Sequence, residues 1–177
     1  MDELFAPWRI EWVKRNSPAD AEGCPFCSIP KATDAREVLV VARSEHSYLL
    51  LNNSPYNPGH VMAIPYRHVT EYPELTDEEL LDQARLVQRA IEGMRQAMNP
   101  DGFNTGCNLG RDGGGSIDHL HRHVVPRWAG DTNFMAVIDE TKVIVQALEE
   151  TYDVLTAALA DLPDGRREDE HVYFSFV

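Results

Sequence analysis

The chain has 177 residues, 43% of them hydrophobic and 25% charged, which suits one domain with a buried core and leaves little room for a second. Its formal net charge of −13 excludes broad, sequence-independent nucleic-acid binding, which needs a basic surface. A small polyphosphate in a locally positive pocket stays allowed. No apolar run reaches the length of a membrane span, and Met1-Asp2-Glu3-Leu4 lacks the basic start and apolar core of a signal peptide, so a cytoplasmic protein with no membrane partner is expected. Three cysteines are too few for a disulfide framework.

Residues 1–22 mix polar residues with Phe5, Trp8 and Trp12 without a clear period and read as an arm. Cys24-Pro25-Phe26-Cys27 forms a tight knuckle. Strand-like runs follow at Glu37–Ala42, Ser47–Leu51 and His60–Ile64, the last two separated by an Asn- and Pro-rich loop. Thr76-Asp77-Glu78-Glu79 is a capping box. The helix it opens puts Leu80, Ala84, Val87, Ile91, Met94 and Met98 on one face and stops at Asn99-Pro100-Asp101-Gly102. A strand over Gly102–Leu109, a glycine loop and a histidine-rich strand come next. A second helix is predicted from about Lys142 to Leu159, with Ile144, Leu148, Tyr152, Leu155 and Leu159 on one face. The resulting organisation is an arm over 1–22, a domain over 23–160, and a charged linker with a C-terminal tail over 161–177. Strands, helix, strands, helix is an α+β order with a mostly antiparallel sheet.

The densest chemistry lies in Asp118-His119-Leu120-His121-Arg122-His123-Val124-Val125. Three of the seven histidines stand at alternate positions, so on a strand they share one face about 7 Å apart. Just upstream, Gly113-Gly114-Gly115-Ser116 can offer backbone N–H groups to an anion, and Arg111, Arg122 and Arg127 are close in sequence. Imidazoles beside an anion-binding loop suggest phosphate chemistry; a metal site of His-x-His type is the rival. Cys24 and Cys27 alone could be a redox pair, although no thioredoxin-like strand–helix context surrounds them.

The run His119-Leu120-His121-Arg122-His123-Val124-Val125 resembles the signature of the histidine triad family of nucleotide hydrolases and transferases. Asn57-Pro58-Gly59-His60 through Pro65-Tyr66-Arg67-His68 is similar to that family's Pro-Gly-His strand and Pro-x-x-His turn, and Cys24-Pro25-Phe26-Cys27 to the knuckle that opens many members. The match covers roughly residues 20 to 155. It implies an α+β fold around a five-stranded antiparallel sheet with two main helices, and a homodimer. It implies His121 as the nucleophile toward an α-phosphate, with a backbone carbonyl fixing its tautomer. His123 would contact the phosphate and His119 would be structural. A neutral imidazole is a competent nucleophile near pH 7, and a nucleotidyl-histidine divides one hard displacement into two easier ones.

Similar proteins with this knuckle bind zinc, and Cys24, Cys27, His68 and His119 make a Cys₂His₂ set suited to a closed, structural zinc site. The family's phosphate-contacting Asn falls on Asn108, and its loop Ser on Ser116. Asn52 falls where relatives bond the ribose, with Leu51 and Asn53 as candidates for the base wall; Asn52 and Asn53 could equally cap a turn. Where hydrolytic members carry Gln, this chain has Gly115. That departure, with the extended Asn108–Ser116 run, Trp128 and Asn133-Phe134, resembles the bacterial diadenosine tetraphosphate phosphorylases of the family. Glycines at 114 and 115 would offer inorganic phosphate both room and N–H donors, with Ser116, Asn108 and Arg111 holding its oxygens. The alternatives are a hydrolase of dinucleoside polyphosphates or nucleoside phosphoramidates, with water as acceptor, and a nucleotide-binding regulator without turnover. In the family the residue at His60 is generally a core or phosphate-neighbour residue, and here it reads as a satisfied core histidine.

Overall fold

The computed structural model describes residues 23–131 and 147–176. The arm over 1–22, Asn133-Phe134 and the first residues of the second predicted helix lie outside the described residues. A single turn of helix, α1 (Pro25–Ser28), opens the described chain, with Cys24 as its N-cap and Cys27 within it. Strands β1 (Val40–Arg43), β2 (Ser47–Leu51) and β3 (Val61–Pro65) follow, then helix α2 (Asp77–Met98), strands β4 (Gly102–Cys107) and β5 (Arg122–Arg127), helix α3 (Leu148–Ala160), and strands β6 (Gly165–Glu168) and β7 (His171–Phe174).

The strands form one sheet in the order β4-β5-β3-β2-β1-β7-β6. Its core pairings are antiparallel, as expected, but it has seven strands rather than five and is mixed, because β7 runs parallel to β1. The two extra strands come from the stretch expected as a charged linker and tail. Val172 and Phe174 alternate into the core, so β7 has an apolar face worth burying. Gly165-Arg166-Arg167-Glu168 is charged because it is a terminal strand facing water.

Strand β1 starts at Val40 rather than Glu37 because Leu39 turns into the left-handed region, at φ 62°. Helix α2 starts as the capping box requires: Thr76 Oγ1 accepts from the Glu79 N–H, and Glu79 Oε2 accepts from the Thr76 N–H at 2.9 Å. Asn99, at φ 47°, closes it. The buried stripe of α2 is rotated from the expected one: Leu86, Val87, Ala90 and Met94 enter the core, whereas Ala84 is exposed. Gln83 lies on the buried side and donates to the Ala63 carbonyl at 3.2 Å. Helix α3 buries Tyr152, Leu155 and Leu159 as its spacing predicts.

Both helices cover one face of the sheet, with Leu49, Leu51, Val61, Ala63 and Val124 beneath them. The opposite face carries Tyr48, Leu50, Met62 and Ile64 under Cys24 and Phe26 of the knuckle. Because strand side chains alternate, His123 and Val125 share that second face, opposite Val124. The knuckle and His123 are gathered there. No helix among the described residues is long and apolar enough to cross a membrane.

Candidate active site and metal cluster

The histidine row is less of a strand than its spacing predicts. Pairing begins at Arg122, so His123 alone lies within β5, and His119 and His121 occupy the bend that enters it. The row survives because each ring is held separately. His119 and His121 are both buried. The His121 and His123 rings stand 4.9 Å apart, edge to face.

The tautomer of each imidazole follows from its partners. His121 Nδ1 lies 2.7 Å from the His119 carbonyl; a carbonyl only accepts, so Nδ1 carries the proton and Nε2 presents its lone pair. His119 Nε2 lies 3.0 Å from the Pro65 carbonyl and must donate, which turns the lone pair of His119 Nδ1 toward the cysteines. Burial pushes the His119 pKa down to about 4, so the ring stays neutral.

His60 joins this network. Its Nδ1 accepts from the Tyr56 N–H at 3.1 Å, with the Asn52 amide at 3.3 Å. Its Nε2–H therefore donates to His123 Nδ1, 2.9 Å away, and neutral His123 is left with its proton on Nε2, a donor to an anion. His60 is wholly buried, as a core histidine would be, but it sets the tautomer of a triad member. Its position one residue before β3, facing β5, shows only once the strands are in register. Tyr56, whose ring stacks on His60 at 4.8 Å, and Phe26 are also absent from the sequence expectations. Phe26 sits between the two cysteines and packs edge-on against His119 and His121, at 5.8 and 5.2 Å.

Cys24, Cys27, His68 and His119 come together as the motifs predict, with all four donor atoms within 4.8 Å of one another. Sγ of Cys24 is 3.3 Å from His119 Nδ1, and Sγ of Cys27 is 3.3 Å from His68 Nδ1 and 3.5 Å from His119 Nδ1. A tetrahedron with Zn–S near 2.3 Å and Zn–N near 2.0–2.1 Å has edges of about 3.3–3.8 Å; the three sulfur–nitrogen distances lie in that range, and a Cys₂His₂ donor set suits a zinc ion. The His119–Pro65 bond is the kind of outer contact that orients a metal-binding histidine. Burial and the neighbouring Cys24 push the Cys27 thiol up to about 11.

Beside His123 opens a cleft of about 460 Å³, lined by Asn108, Cys107, Gly106, Asn104 and Arg127 on one side and Tyr56 and Asn57 on the other. Of the expected phosphate contacts, Asn108 and His123 meet here. Ser116 and Arg111 are exposed on the glycine loop and do not line the cleft.

The loop itself departs from expectation. The Gly114 N–H donates to Arg111 O and the Gly115 N–H to Gly110 O, at 3.1 and 3.0 Å, so these two donors are committed within the loop. A Cβ on Gly115 would stand 2.9 Å from Gly110 O, and one on Gly113 only 2.2 Å from Leu109 O. Glycine at 115 lets the loop fold back on itself; it does not open a pocket.

Asn52 caps a turn, its Oδ1 accepting from the Ser54 N–H at 2.9 Å, and it lies on the histidine face through its amide contact to His60. Asn53 is exposed. Leu51 is a correction: it is 1% exposed and lies in the helix-side core, so it cannot wall a base on the opposite face. Strand alternation gives that face to Leu50, a signal already present in the sequence.

The HIT domain profile matches residues 35–130. A Mycobacterium tuberculosis protein named AP-4-A phosphorylase is 44% identical over 170 residues, 92% of this chain and 87% of that protein. Among solved structures, a Zn-bound histidine triad family protein from Mycobacterium smegmatis superposes with a TM-score of 0.65 at 26% identity, covering 80% of this chain and 96% of the other. A histidine triad nucleotide-binding protein from Sulfolobus tokodaii gives 0.65 at 28% identity, over 80% and 95% of the two chains. With the family profile spanning more than half its length and its triad assembled on the sheet, this chain belongs to the HIT family.

Proposed function

We propose that this protein is a nucleotidyltransferase that splits diadenosine tetraphosphate with inorganic phosphate, giving ATP and ADP through a nucleotidyl-histidine on His121. The observation that carries the chemistry is the 2.7 Å bond from His121 Nδ1–H to the His119 carbonyl, which leaves Nε2 as the attacking atom. The 44% identity to the mycobacterial AP-4-A phosphorylase supports the substrate class and the phosphate acceptor.

In the first step the Nε2 lone pair forms an N–P bond to the α-phosphorus while the P–O bond to the departing ATP breaks. The imidazole becomes cationic, and the His119 carbonyl on its Nδ1–H stabilises that charge. His123 Nε2–H and the Asn108 amide donate to the phosphoryl oxygens, where charge develops. In the second step an oxygen of inorganic phosphate forms a new P–O bond, the N–P bond breaks, ADP leaves and His121 returns neutral. Ser116 and Arg111 meet the incoming phosphate from the exposed loop. Asn52 bonds the ribose of the adenylyl half, with Leu50 and Asn53 near its base.

Cys24, Cys27, His68 and His119 hold a structural zinc ion. Such an ion, with all four positions taken, supplies folding free energy rather than a reaction step. The family resemblance supports a homodimer.

The test is product analysis with and without inorganic phosphate. Phosphorolysis gives ATP and ADP at a rate that rises with phosphate. Turnover to ATP and AMP, indifferent to phosphate, would assign the protein to the hydrolases instead.

A further inference from the structure

The cleft beside His123 continues well past the reacting centre. His123, Val125 and Arg127 alternate onto one face of β5 and span about 13 Å. Across the β4–β5 pair, Gly106 faces His123, Asn104 faces Val125 and Gly102 faces Arg127. A Cβ on Gly102 or Gly106 would meet nothing within 4 Å. Strand β4 therefore leaves its site-facing side bare at both glycines, and a trough runs along β5 with Asn104 as its one projecting β4 side chain.

Its far end is built. Arg127 Nε and Nη2 donate to the two oxygens of Asp131 at 2.5 and 2.9 Å, and Nη1 donates to Asn104 Oδ1 at 2.8 Å. Asp131 in turn accepts from Asn57 Nδ2 at 2.8 Å. These three bonds use three of the five N–H groups of the fork, and the Arg127 side chain as a whole is 44% exposed. On the other wall Tyr56, with one ring face stacked on His60, is 37% exposed as a residue.

We propose that this trough is the seat of the departing half of the dinucleotide, its distal nucleoside. This rests on the phosphorylase reading for the identity of the substrate, though not for the acceptor. The sheet order β2-β3-β5-β4 arrays the parts in sequence. Asn52 follows β2 and bonds His60; His60 bonds His123 on β5; Asn104 and Gly106 lie on β4. Strands are about 4.8 Å apart, so the proximal seat and the trough stand on opposite sides of the histidines. An in-line displacement places the leaving group opposite the nucleophile, and the trough prolongs the row on the side of His123 away from His121. Its fittings suit a nucleoside: an aromatic face for the base, amide and guanidinium edges for ring nitrogens and hydroxyls, and an apolar floor at Val125.

The experiment compares two adenylyl donors with the same proximal half. Diadenosine tetraphosphate fills the trough; adenosine 5′-phosphoramidate, whose leaving group is ammonia, does not reach it. Asn104→Trp narrows the trough from an exposed strand position where an aromatic residue is well tolerated; Asn104→Leu is the second variant. For either, the kcat/KM of the tetraphosphate divided by that of the phosphoramidate should fall roughly tenfold or more, with an unchanged melting temperature. A ratio within about twofold of wild type, or equal losses on both donors, overturns the proposal. So does a wild-type enzyme that turns over the phosphoramidate and ignores the dinucleotide. Phosphate-independent release of AMP would refute the acceptor and leave this ratio as informative as before.

Discussion

The knuckle end and the glycine-loop end of the site are built in opposite ways. At the knuckle, Cys24, Phe26, His119 and His121 are buried, and partners fix the state of both His119 ring nitrogens and of His121 Nδ1. At the loop, residues 110–114 and Ser116 are exposed, and the N–H groups of Gly114 and Gly115 donate to the loop's own carbonyls. His121, the proposed nucleophile, thus belongs to the buried half, where a small displacement is costly. In the proposed reaction the acceptor would enter over the exposed half.

The largest expected effect is at the buried end. His121→Ala should lower turnover by at least about 10⁴-fold, as loss of a covalent nucleophile does, while circular dichroism shows the fold retained; substantial residual activity would break the assignment. Cys27→Ser, or a chelator, should lower the melting temperature by roughly 10 °C, as expected for loss of a structural metal ligand. Turnover should fall with it, because Phe26 of the knuckle packs on His121 and His119 serves both the metal cluster and the nucleophile. Stability lost without activity would show that the two ends are uncoupled.

Metal retention should also depend on pH. The Cys27 thiol is raised to about 11, so protons compete for the site throughout the neutral range, and binding must release about one proton from that thiol. Metal content should therefore fall as pH drops from 7 toward 5. Titration calorimetry in buffers of different ionisation enthalpy measures the release, and zero proton release would contradict the thiolate assignment.

His60→Phe removes the N–H to His123 and should cost about 10²-fold in kcat, the scale of one lost transition-state donor, with little change in KM. At the loop, Gly115→Gln must displace the Gly110 carbonyl, a backbone atom, which should lower the melting temperature slightly, and it should reduce the phosphate dependence of turnover by roughly tenfold. Arg111→Ala, an exposed charge, should change the KM for phosphate by only a few-fold.

The sequence made the buried end legible and the exposed end misleading. Cys24, Cys27, His68 and His119 could be grouped because motif and chemistry agree. The role of His60 could not, because it depends on register between β3 and β5, and that is set by the whole sheet. Leu51 was legible in principle: alternation along β2 already gives its face to the helices. The β6–β7 hairpin was hidden because a short, charged terminal strand has the composition of a linker. The glycine loop invited a reading from residue type alone, space and free N–H groups. Backbone geometry shows that the chain uses both for its own closure.

The most direct test is to trap the intermediate. The enzyme is mixed with diadenosine tetraphosphate without inorganic phosphate, quenched, and mapped by mass spectrometry. The account predicts an adenylyl group on His121, discharged as ADP when phosphate is added. An adduct on another residue, no adduct during turnover, or discharge as AMP at a rate that ignores phosphate would contradict it.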